Sequence, residues 1–378
     1  MTRPQNPIMI VLGTRPEIIK LSPVVREFED RDWPYTLVHT GQHYSDSLDG
    51  VFFDQLAISE PDHHLGVGSR PHGHQTGEMM IRLEPLVHSV DPSFLLVQGD
   101  TNSALAGSLV AAKADVPQGH VEAGLRSDDR RMPEEVNRVL IDHAAEVLFP
   151  PTDEARARLA REDLDQRCFV TGNTIVDAVR QNELVAAEKS AMLDELGLTP
   201  GEYVLFTAHR EENVDAADRF ADILTGVAEF AERTGLECIY PVHPRAREQL
   251  VSKNLTVPDP VTLVDPLDYL DFLALESDAA IVFTDSGGVQ EETCILQVPC
   301  VTVRENTERP ESVEVGANVV AGTSPGGIVA AGRAQLEATP EWPCPFGDGN
   351  AAERIVDAIA EYLLEGPRRE ESPQERTV

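Results

Sequence analysis

The sequence is short of lysine and of long apolar stretches, and each shortage argues against a class of protein. No run of about 18 apolar residues occurs in the 378-residue chain, so we expect no membrane-spanning helix. The net charge of −34 argues against binding to nucleic acid or to an anionic membrane surface. We therefore expect neither nucleic acid nor membrane among the partners.

The five cysteines form no C-x-x-C pair. A scattered, odd-numbered set predicts reduced thiols in a cytoplasmic protein rather than a disulfide framework or a zinc site. The pair His63-His64 and the nearby His72 and His74 have no companion cysteines. We interpret that histidine-rich segment as a surface loop rather than a metal site.

Only four lysines occur, against 65 aspartate and glutamate residues. This imbalance is typical of proteins that work in concentrated salt, and we hypothesise a halophilic cytosol. At about 1 M salt the Debye length falls to about 3 Å, so the negative surface would repel itself only weakly.

Hydrophobic periodicity alternates between strand and helix along the chain. The first half predicts strands over Ile8–Leu12, Tyr35–Thr40, Phe94–Gln98, Gln118–Val121, Val147–Phe149 and Phe169–Thr171. The second half predicts strands over Val204–Thr207, Cys238–Val242, Val261–Val264, Ala280–Phe283 and Cys300–Val303. Helical patterns separate the strands in both halves. We therefore predict an α/β protein with two doubly wound, Rossmann-like domains, each with a mainly parallel sheet.

The domain boundary is expected near Gly172-Asn173-Thr174. We predict an N-terminal domain over 1–172, a C-terminal domain over 173–353, a last helix near 354–365 that returns to the first domain, and a disordered tail over 366–378. Ligands of such folds bind beyond the carboxyl ends of the strands. With two such domains, the predicted site lies in the cleft between them.

The most informative segment is Asp285-Ser286-Gly287-Gly288, which follows an apolar strand and precedes a helical pattern. A strand, a glycine turn and a helix in that order bring backbone N–H groups and a helix dipole to one point, which suits a phosphate. The alternative is an ordinary strand-to-helix turn in which Ser286 caps the helix.

The first strand is followed by GTRPEIIK, Gly13 to Lys20. It lacks the G-x-G-x-x-G pattern of dinucleotide folds, which argues against NAD as a cofactor. Arg15 and Lys20 follow the strand end, and a chain this poor in lysine has kept one here. The alternative is that both are surface charges.

Three carboxylates follow predicted strands or loops in the first domain. Asp100 lies in Gln98–Asn102, Glu122 in the segment GHVEAGLRS, and Glu134 in MPEEVNR. Each has an ordinary alternative, since Asp caps helices and Glu is favoured in a first turn. Carboxylates that face one cleft can nevertheless divide acid and base roles.

Basic residues end strands in the second domain. His209 follows one predicted strand and His243 follows the next, while Arg304 and Arg309 follow the last. Histidine can donate to a phosphate or move protons near neutral pH, and arginine can bind an anion. A lone histidine is more often structural.

Eight segments, in order, resemble the non-hydrolysing UDP-N-acetylglucosamine 2-epimerases: GTRPEIIK, TGQH, GDT, GHVEAGLR, PEEVNR, GNT, DSGGVQEE and TERPE. The resemblance runs from Gly13 to Glu311. It implies the two-domain GT-B fold, a homodimer, no cofactor, and interconversion of UDP-N-acetylglucosamine and UDP-N-acetylmannosamine for cell-surface glycans. The implied route eliminates UDP and re-adds it through 2-acetamidoglucal.

The resemblance also implies roles for three sets of residues. The implied catalytic set is Asp100, Glu122, Glu134 and His209. The implied UDP-sugar-binding set is Arg15, Lys20, Phe272, Ser286, Gly287, Gly288, Glu292 and Arg309. An allosteric site for a second UDP-N-acetylglucosamine is implied at Gln42, His43, Arg210 and His243. Within the binding set, Ser286–Gly288 would hold the diphosphate, Glu292 the ribose hydroxyls and Phe272 the uracil.

Two positions depart from the family pattern. Glu211 stands where an arginine is usual, which bears on allosteric activation, and Leu267 stands where a glutamine is usual near the uracil pocket. Three other functions stay open: a glycosyltransferase on the same fold, a hydrolysing epimerase, and a catalytically inactive nucleotide-sugar sensor.

Overall fold

The computed structural model of the chain describes residues 3–42, 52–338 and 341–365. They form two compact units, which divide between Ala178 and Val179 and again between Phe346 and Gly347. The first unit therefore contains both ends of the described chain, and the second contains the middle. The sequence prediction placed these boundaries at residues 172 and 353. The predicted tail, 366–378, and His43 lie outside the described residues.

Each unit is built on a six-stranded parallel sheet, so the prediction of two doubly wound domains is confirmed. The first sheet contains β1 Ile8–Leu12, β2 Tyr35–His39, β3 His63–His64, β4 Phe94–Gln98, β5 Gln118–Val121 and β6 Val147–Phe149. The second contains β7 Tyr203–Thr207, β8 Glu237–Pro241, β9 Val261–Val264, β10 Ile281–Thr284, β11 Cys300–Thr302 and β12 Asn318–Val320.

Helices separate the strands in both units. Those of the first unit are α1 Arg15–Asp30, α2 His72–Val90, α3 Asn102–Ala114, α4 Pro133–Ala144 and α5 Asp153–Arg161, and α6 Thr174–Lys189 crosses the boundary. The second unit contains α7 Met192–Leu196, α8 Glu211–Val214, α9 Ala217–Thr234, α10 Pro244–Ser252, α11 Tyr269–Ser277, α12 Gly287–Leu296, α13 Pro310–Glu314 and α14 Pro325–Glu337. The last helix, α15 Ala351–Glu365, packs against α1 in the first unit, where Arg31 Nη1 lies 2.6 Å from Asp357 Oδ1. No helix within the described ranges is long and apolar enough to cross a membrane.

The two sheets have the same strand order. It is β3-β2-β1-β4-β5-β6 in the first unit, and β9-β8-β7-β10-β11-β12 when the second is read in the same direction. The order reverses between β1 and β4, and between β7 and β10. Ligands of open α/β sheets bind at such switch points, beyond the carboxyl ends of the strands.

The predicted strand Phe169–Thr171 is wrong. A single bridge joins Leu148 to Cys168 at the edge of the first sheet. The Phe169 and Thr171 N–H groups donate to the carbonyl oxygens of Leu148 and Pro150, but Pro150 has no backbone N–H to return a bond, so no regular strand forms.

The histidine-rich segment is not the surface loop that we predicted. His63 and His64 form the edge strand β3, and His72 and His74 lie in the first turn of α2. A two-residue strand has no periodicity that a sequence pattern could reveal.

Candidate active site

The turns after β1 and β4 meet in the first unit, because these strands are parallel neighbours. The first turn carries Gly13 and Arg15, and the second carries Asp100. A Cβ on Gly13 would stand 2.0 Å from Thr40 Oγ1 and 2.2 Å from Ser103 Oγ, so no side chain fits there. Glycine is thus required for the close approach of this turn to its neighbours.

Asp100 lies within electrostatic range of both other predicted carboxylates. Burial raises the pKa of its carboxyl group, the charge of Arg138 opposes that rise, and the charges of Glu122 and Glu134 add to it. Arg138 also donates a hydrogen bond to Asp100 Oδ2. The structure therefore brings the three carboxylates together, and a raised pKa suits a group that must exchange a proton.

Glu122 is fixed at the end of β5 in a strained conformation. Its φ of 70° is in the left-handed region, which a residue with a side chain seldom occupies. Lys20 Nζ lies 2.7 Å from Glu122 Oε1, and the two side chains are only 10% and 8% exposed. Asn173 Nδ2 donates to the same oxygen at 3.3 Å. Lys20 is therefore a partner of a predicted catalytic carboxylate, whereas its contact with the nucleotide stays a prediction.

Glu134 lies half-buried in the first turn of α4. The same helix is tied to the β4 turn, since Asn137 Nδ2 donates to the carbonyl oxygen of Asp100 at 2.9 Å. The adjacent Glu135 is structural: it accepts hydrogen bonds from the backbone N–H groups of Ser127 at 2.9 Å and Asp128 at 3.2 Å. The motif alone could not tell these two glutamates apart.

Arg15 is exposed at the start of α1. Its guanidinium carbon lies 4.8 Å from the centroid of the Phe52 ring, a cation–π contact that orients the side chain. Arg15 is thus placed to meet an anion at this edge of the sheet.

A buried network behind the β4 turn was missed by the sequence analysis. His120 Nε2 lies 2.7 Å from the carbonyl oxygen of Gly99, and His120 Nδ1 lies 2.6 Å from Asp142 Oδ1. Arg126 Nη1 lies 2.6 Å from the other oxygen of Asp142. Burial alone would raise the pKa of Asp142, but its interactions with His120 and Arg126 lower it. The network supports the backbone next to Asp100.

In the second unit, Ser286 caps α12, which begins at Gly287. The Ser286 hydroxyl accepts a hydrogen bond from the Val289 N–H, as in the structural alternative. A Cβ on Gly287 would lie 3.9 Å from Arg210 Nη2 and 4.0 Å from Arg309 Cζ. Two guanidinium groups therefore border the glycine turn, and the cap does not conflict with anion binding at the helix N-terminus.

A carboxylate, that of Glu308, also lies beside the glycine turn. Glu308 Oε2 would lie 3.8 Å from a Cβ on Gly287, and it lies 3.5 Å from Arg210 Nη2 and 2.8 Å from Arg304 Nη1. Burial alone would raise the pKa of Glu308, but the hydrogen bond from Arg304 and the two arginine charges lower it to about 2. Arg304 is itself buried and also pairs with Glu212 at 2.9 Å.

Asp285 joins the glycine turn to the loop after β7. Its buried carboxylate accepts hydrogen bonds from the backbone N–H groups of His209 and Arg210, both at 3.0 Å to Oδ2, and from Asn213 Nδ2 at 3.1 Å. His209 Nδ1 lies 3.2 Å from Asp285 Oδ1. Burial lowers the pKa of His209, and Asp285 only partly offsets this. The predicted histidine is therefore held beside the glycine turn by a residue that we had assigned only to the turn.

Arg309 is held by Glu291, whose Oε1 lies 2.6 Å from Arg309 Nε. The Arg309 N–H donates to Thr307 Oγ1 at 2.9 Å, and the Thr307 hydroxyl donates to Gln290. Gln290 and Glu291 of the DSGGVQEE segment thus set the position of the arginine loop, a role that the motif did not reveal.

The predicted uracil and ribose residues lie on neighbouring helices. Phe272, half-buried on α11, and Leu267 pack against one apolar cluster, and Glu292 is buried on α12. Glu276, also on α11, is fully buried, and burial together with the Glu292 charge raises the pKa of its carboxyl group well above the ordinary value. The contacts of Phe272 and Glu292 with a nucleotide stay predictions.

The predicted allosteric residues fall in different units. Gln42, in the first, accepts hydrogen bonds from Ser103 N at 3.1 Å and Oγ at 2.8 Å. In the second, His243 caps α10, and its ring centroid lies 5.6 Å from that of His209. Glu211, the departure from the family pattern, pairs with Arg245 at 2.6 Å.

Comparison with known proteins identifies close relatives over nearly the whole chain. A family model described as UDP-N-acetylglucosamine 2-epimerase matches residues 26–360. The curated UDP-N-acetylglucosamine 2-epimerase of Methanocaldococcus jannaschii is 45% identical over 362 residues, covering 92% of this chain and 97% of that protein. A crystal structure of the enzyme from that organism, in complex with UDP-GlcNAc and UDP, is similar with a TM-score of 0.84 and 44% identity, covering 94% and 99% of the two chains.

Two further similarities bear on substrate and fold. A curated UDP-2,3-diacetamido-2,3-dideoxy-D-glucuronate 2-epimerase of Pseudomonas aeruginosa is 37% identical, covering 93% of this chain and 99% of that protein. The calicheamicin glycosyltransferase CalG4 matches with a TM-score of 0.58 over 97% of this chain and 100% of its own, but at 13% identity. The second likeness shows the fold alone, which agrees with the predicted GT-B class.

Proposed function

Because the chain belongs to the UDP-N-acetylglucosamine 2-epimerase family, we propose that it interconverts UDP-N-acetylglucosamine and UDP-N-acetylmannosamine by eliminating and re-adding UDP. The observation that carries this proposal is the group of carboxylates at the carboxyl ends of the first sheet. Asp100, Glu122 and Glu134 influence one another electrostatically, and a cation, Lys20, pairs with one of them. A group of this kind can remove a proton and return one.

The C2 proton of the sugar is not acidic, so its direct removal would be slow. In the proposed reaction the C1–O bond breaks, and UDP leaves with the electron pair of that bond. A carboxylate takes the C2 proton, and the double bond of 2-acetamidoglucal forms between C1 and C2. UDP then attacks C1 again while another acid delivers a proton to the opposite face of C2. General acid–base help of this kind is worth about 10²–10⁴-fold.

The departing diphosphate gains negative charge, which the second unit is suited to stabilise. Ser286–Gly288 begin a helix whose N-terminus favours an anion, and Arg210 and Arg309 border Gly287. Preorganised donors at a developing charge can each contribute about 3–4 kcal/mol. We assign the diphosphate to these residues, with His209 beside them, and we keep Arg15 as a further cation for the nucleotide.

The finer family properties belong to the same proposal. We propose a cytoplasmic homodimer adapted to concentrated salt, with no cofactor in the reaction. Activation by a second UDP-N-acetylglucosamine through Gln42, His43, Arg210 and His243 stays a prediction. Glu211 stands where the family usually has an arginine, and because Glu211 pairs with Arg245, that residue does not supply the missing positive charge.

Proton NMR of the pure protein with UDP-N-acetylglucosamine in high-salt D₂O tests the proposal. We expect UDP-N-acetylmannosamine with deuterium at C2. A glycosyltransferase or an inactive sensor gives no turnover without an acceptor, and a hydrolysing epimerase gives free N-acetylmannosamine and UDP. UDP-2,3-diacetamido-2,3-dideoxy-D-glucuronate, assayed in parallel, shows whether the uronate of the Pseudomonas relative is preferred.

Three substitutions test the carboxylates: Asp100→Asn, Glu122→Gln and Glu134→Gln. Each should lower kcat by about 10²–10⁴-fold while UDP affinity stays nearly unchanged. Glu84→Gln, at an exposed position on α2, is the matched control and should keep the wild-type rate. Wild-type rates in all three variants would reject the assignment.

A further inference from the structure

Glu17 is a fully buried carboxyl group that the proposed mechanism does not use. It lies in the first turn of α1 and is only 1% exposed. Its Oε2 accepts hydrogen bonds from the Gly13 N–H at 3.0 Å and the Thr14 hydroxyl at 2.8 Å. Its Oε1 accepts one from the Thr101 hydroxyl at 2.8 Å. One side chain therefore joins the turn after β1 to the turn after β4.

The hydrogen-bond pattern favours a carboxylate over a carboxylic acid, because each of the three groups donates to a Glu17 oxygen. The Thr101 hydroxyl accepts the Ala104 N–H at 3.0 Å, as the cap of α3, and directs its own hydrogen to Glu17 Oε1. A proton on Oε1 would require the Thr101 hydroxyl to turn its hydrogen away and accept, and a proton on Oε2 would require the same of Thr14 and leave the Gly13 N–H with a weaker acceptor. Protonation therefore reverses or weakens at least one of the three bonds.

The ionisation of Glu17 falls near neutral pH. Burial raises its pKa to about 7, although the hydrogen bonds from Thr101, Thr14 and Gly13 oppose that rise. The donors that face it from both turns are neutral. Of the charged groups close in sequence on these elements, Lys20 pairs with Glu122 and Asp100 with Arg138, and the shift in the Glu17 pKa arises from burial and hydrogen bonds.

We propose that Glu17 is a positioning residue, whose ionised carboxylate fixes the turn that carries Asp100 against the turn that carries Arg15. This rests on the proposed function, in which Asp100 acts on the sugar. The Thr101 bond holds the residue next to Asp100, whereas the Gly13 and Thr14 bonds hold the residues before Arg15. Losing the first bond should affect the chemical step, and losing the others should affect nucleotide binding.

Glu17→Gln separates these effects, because the amide oxygen can keep the Gly13 and Thr14 bonds while the amide NH₂ faces Thr101. We expect kcat at pH 8 to fall about tenfold, the equivalent of one lost hydrogen bond to a charged group. UDP affinity should stay within about twofold of wild type, since the Arg15 turn is retained. Glu17→Ala, which loses all three bonds, should lower both kcat and UDP affinity.

Two readouts distinguish positioning from a merely structural role. In the wild type, kcat should fall as the pH drops through about 7, because Glu17 takes up a proton. This fall is the acidic limb of the pH–rate profile, and the limb should be absent from Glu17→Gln. A folded-state pKa above the unfolded value means that stability is lost as pH rises through the folded pKa. At pH 8, Glu17→Gln should therefore be at least as stable as wild type although it is slower.

Thr101 provides the matched pair. Thr101→Ser keeps the hydroxyl and should keep the wild-type rate and limb, whereas Thr101→Ala should lower kcat and remove the limb. Asp30→Asn, at an exposed position on α1, is the surface control. The proposal is overturned if Glu17→Gln keeps the wild-type kcat and limb, or if it slows only in proportion to lost stability. A wild-type protein that binds UDP but gives no epimer would instead reject the proposed function.

Discussion

Asp285→Asn is the sharpest test of how the second unit is organised. The substitution preserves the size of the side chain but removes its charge and one acceptor oxygen. The amide oxygen can still accept the N–H groups of His209 and Arg210 and the Asn213 amide, which now converge within 3.1 Å of Oδ2. The amide NH₂ must then occupy the position of Oδ1, 3.2 Å from His209 Nδ1.

The geometry gives the size of the effect on stability. Hydrogen bonds to a charged group contribute about 1.5–3 kcal/mol each, and a neutral acceptor retains about half of that. With three donors on a fully buried carboxylate, we expect a loss of about 3 kcal/mol. In a unit of this size that corresponds to a fall of about 6–12 °C in Tm.

The substitution also changes the tautomer of His209. A carboxylate beside Nδ1 favours a hydrogen on that nitrogen, whereas an NH₂ group favours an unprotonated Nδ1 and a hydrogen on Nε2. The amide thus removes the negative charge that supports a protonated ring. If His209 stabilises the departing diphosphate as a cation, kcat should fall by about 10²-fold or more, comparable to the loss of one preorganised donor.

Denaturation in high KCl, steady-state kinetics and ¹⁵N chemical shifts of the histidine ring measure the three effects. Asp265→Asn is the control, because Asp265 forms an exposed ion pair with Arg247 at 2.8 Å and should contribute at most about 1 kcal/mol. A variant at Asp285 with wild-type stability and rate would refute the claim that this carboxylate organises His209. A loss of stability without a loss of rate would retain the structural role and reject the catalytic one.

Two further predictions concern stability. Glu276 is fully buried, and neither carboxyl oxygen has a hydrogen-bond partner among the described residues, so its raised pKa favours the protonated form in the fold. The wild type should therefore lose stability as pH rises through that pKa. In urea melts, the free energy of unfolding of Glu276→Gln should rise relative to that of wild type as pH increases from 5 to 9. A difference that stays constant with pH would contradict this. The net charge of −34 predicts that the unfolding midpoint rises between 0.1 and about 2 M KCl, because the Debye length shortens and the negative charges repel one another less. A maximum at low salt would reject the halophilic hypothesis.

Strand positions could be predicted because their signal is local. Buried parallel strands are continuous apolar runs, and β1, β4, β5, β6 and β9 have the predicted bounds. The predicted strand Phe169–Thr171 has the same local character, but whether a run pairs depends on its neighbour. There Pro150, which follows β6, cannot donate a hydrogen bond back to the segment, and no property of the run itself could reveal this.

The same distinction applies to the site. Parallel sheets gather their carboxyl ends at one edge, so residues that follow β1, β4, β5, β7 and β10 were predictable candidates from order alone. What each residue does depends on partners distant in sequence. Glu134 and Glu135 are adjacent and chemically identical, yet only Glu135 is used to hold the 127–128 backbone, because the helix turns its side chain toward that loop.

Glu17 and Asp285 show why the supporting residues were overlooked. Each lies inside a motif whose other members touch a ligand in the proposed function, and each is directed inward to bind the neighbouring strand-end turn. The two units thus use equivalent switch-point turns, β1 with β4 and β7 with β10, and in both a buried carboxylate joins the pair. Since the exposed residue of each turn can act only if the turn is held in place, we expect substitutions at the buried carboxylates to alter rates without removing any group that contacts substrate.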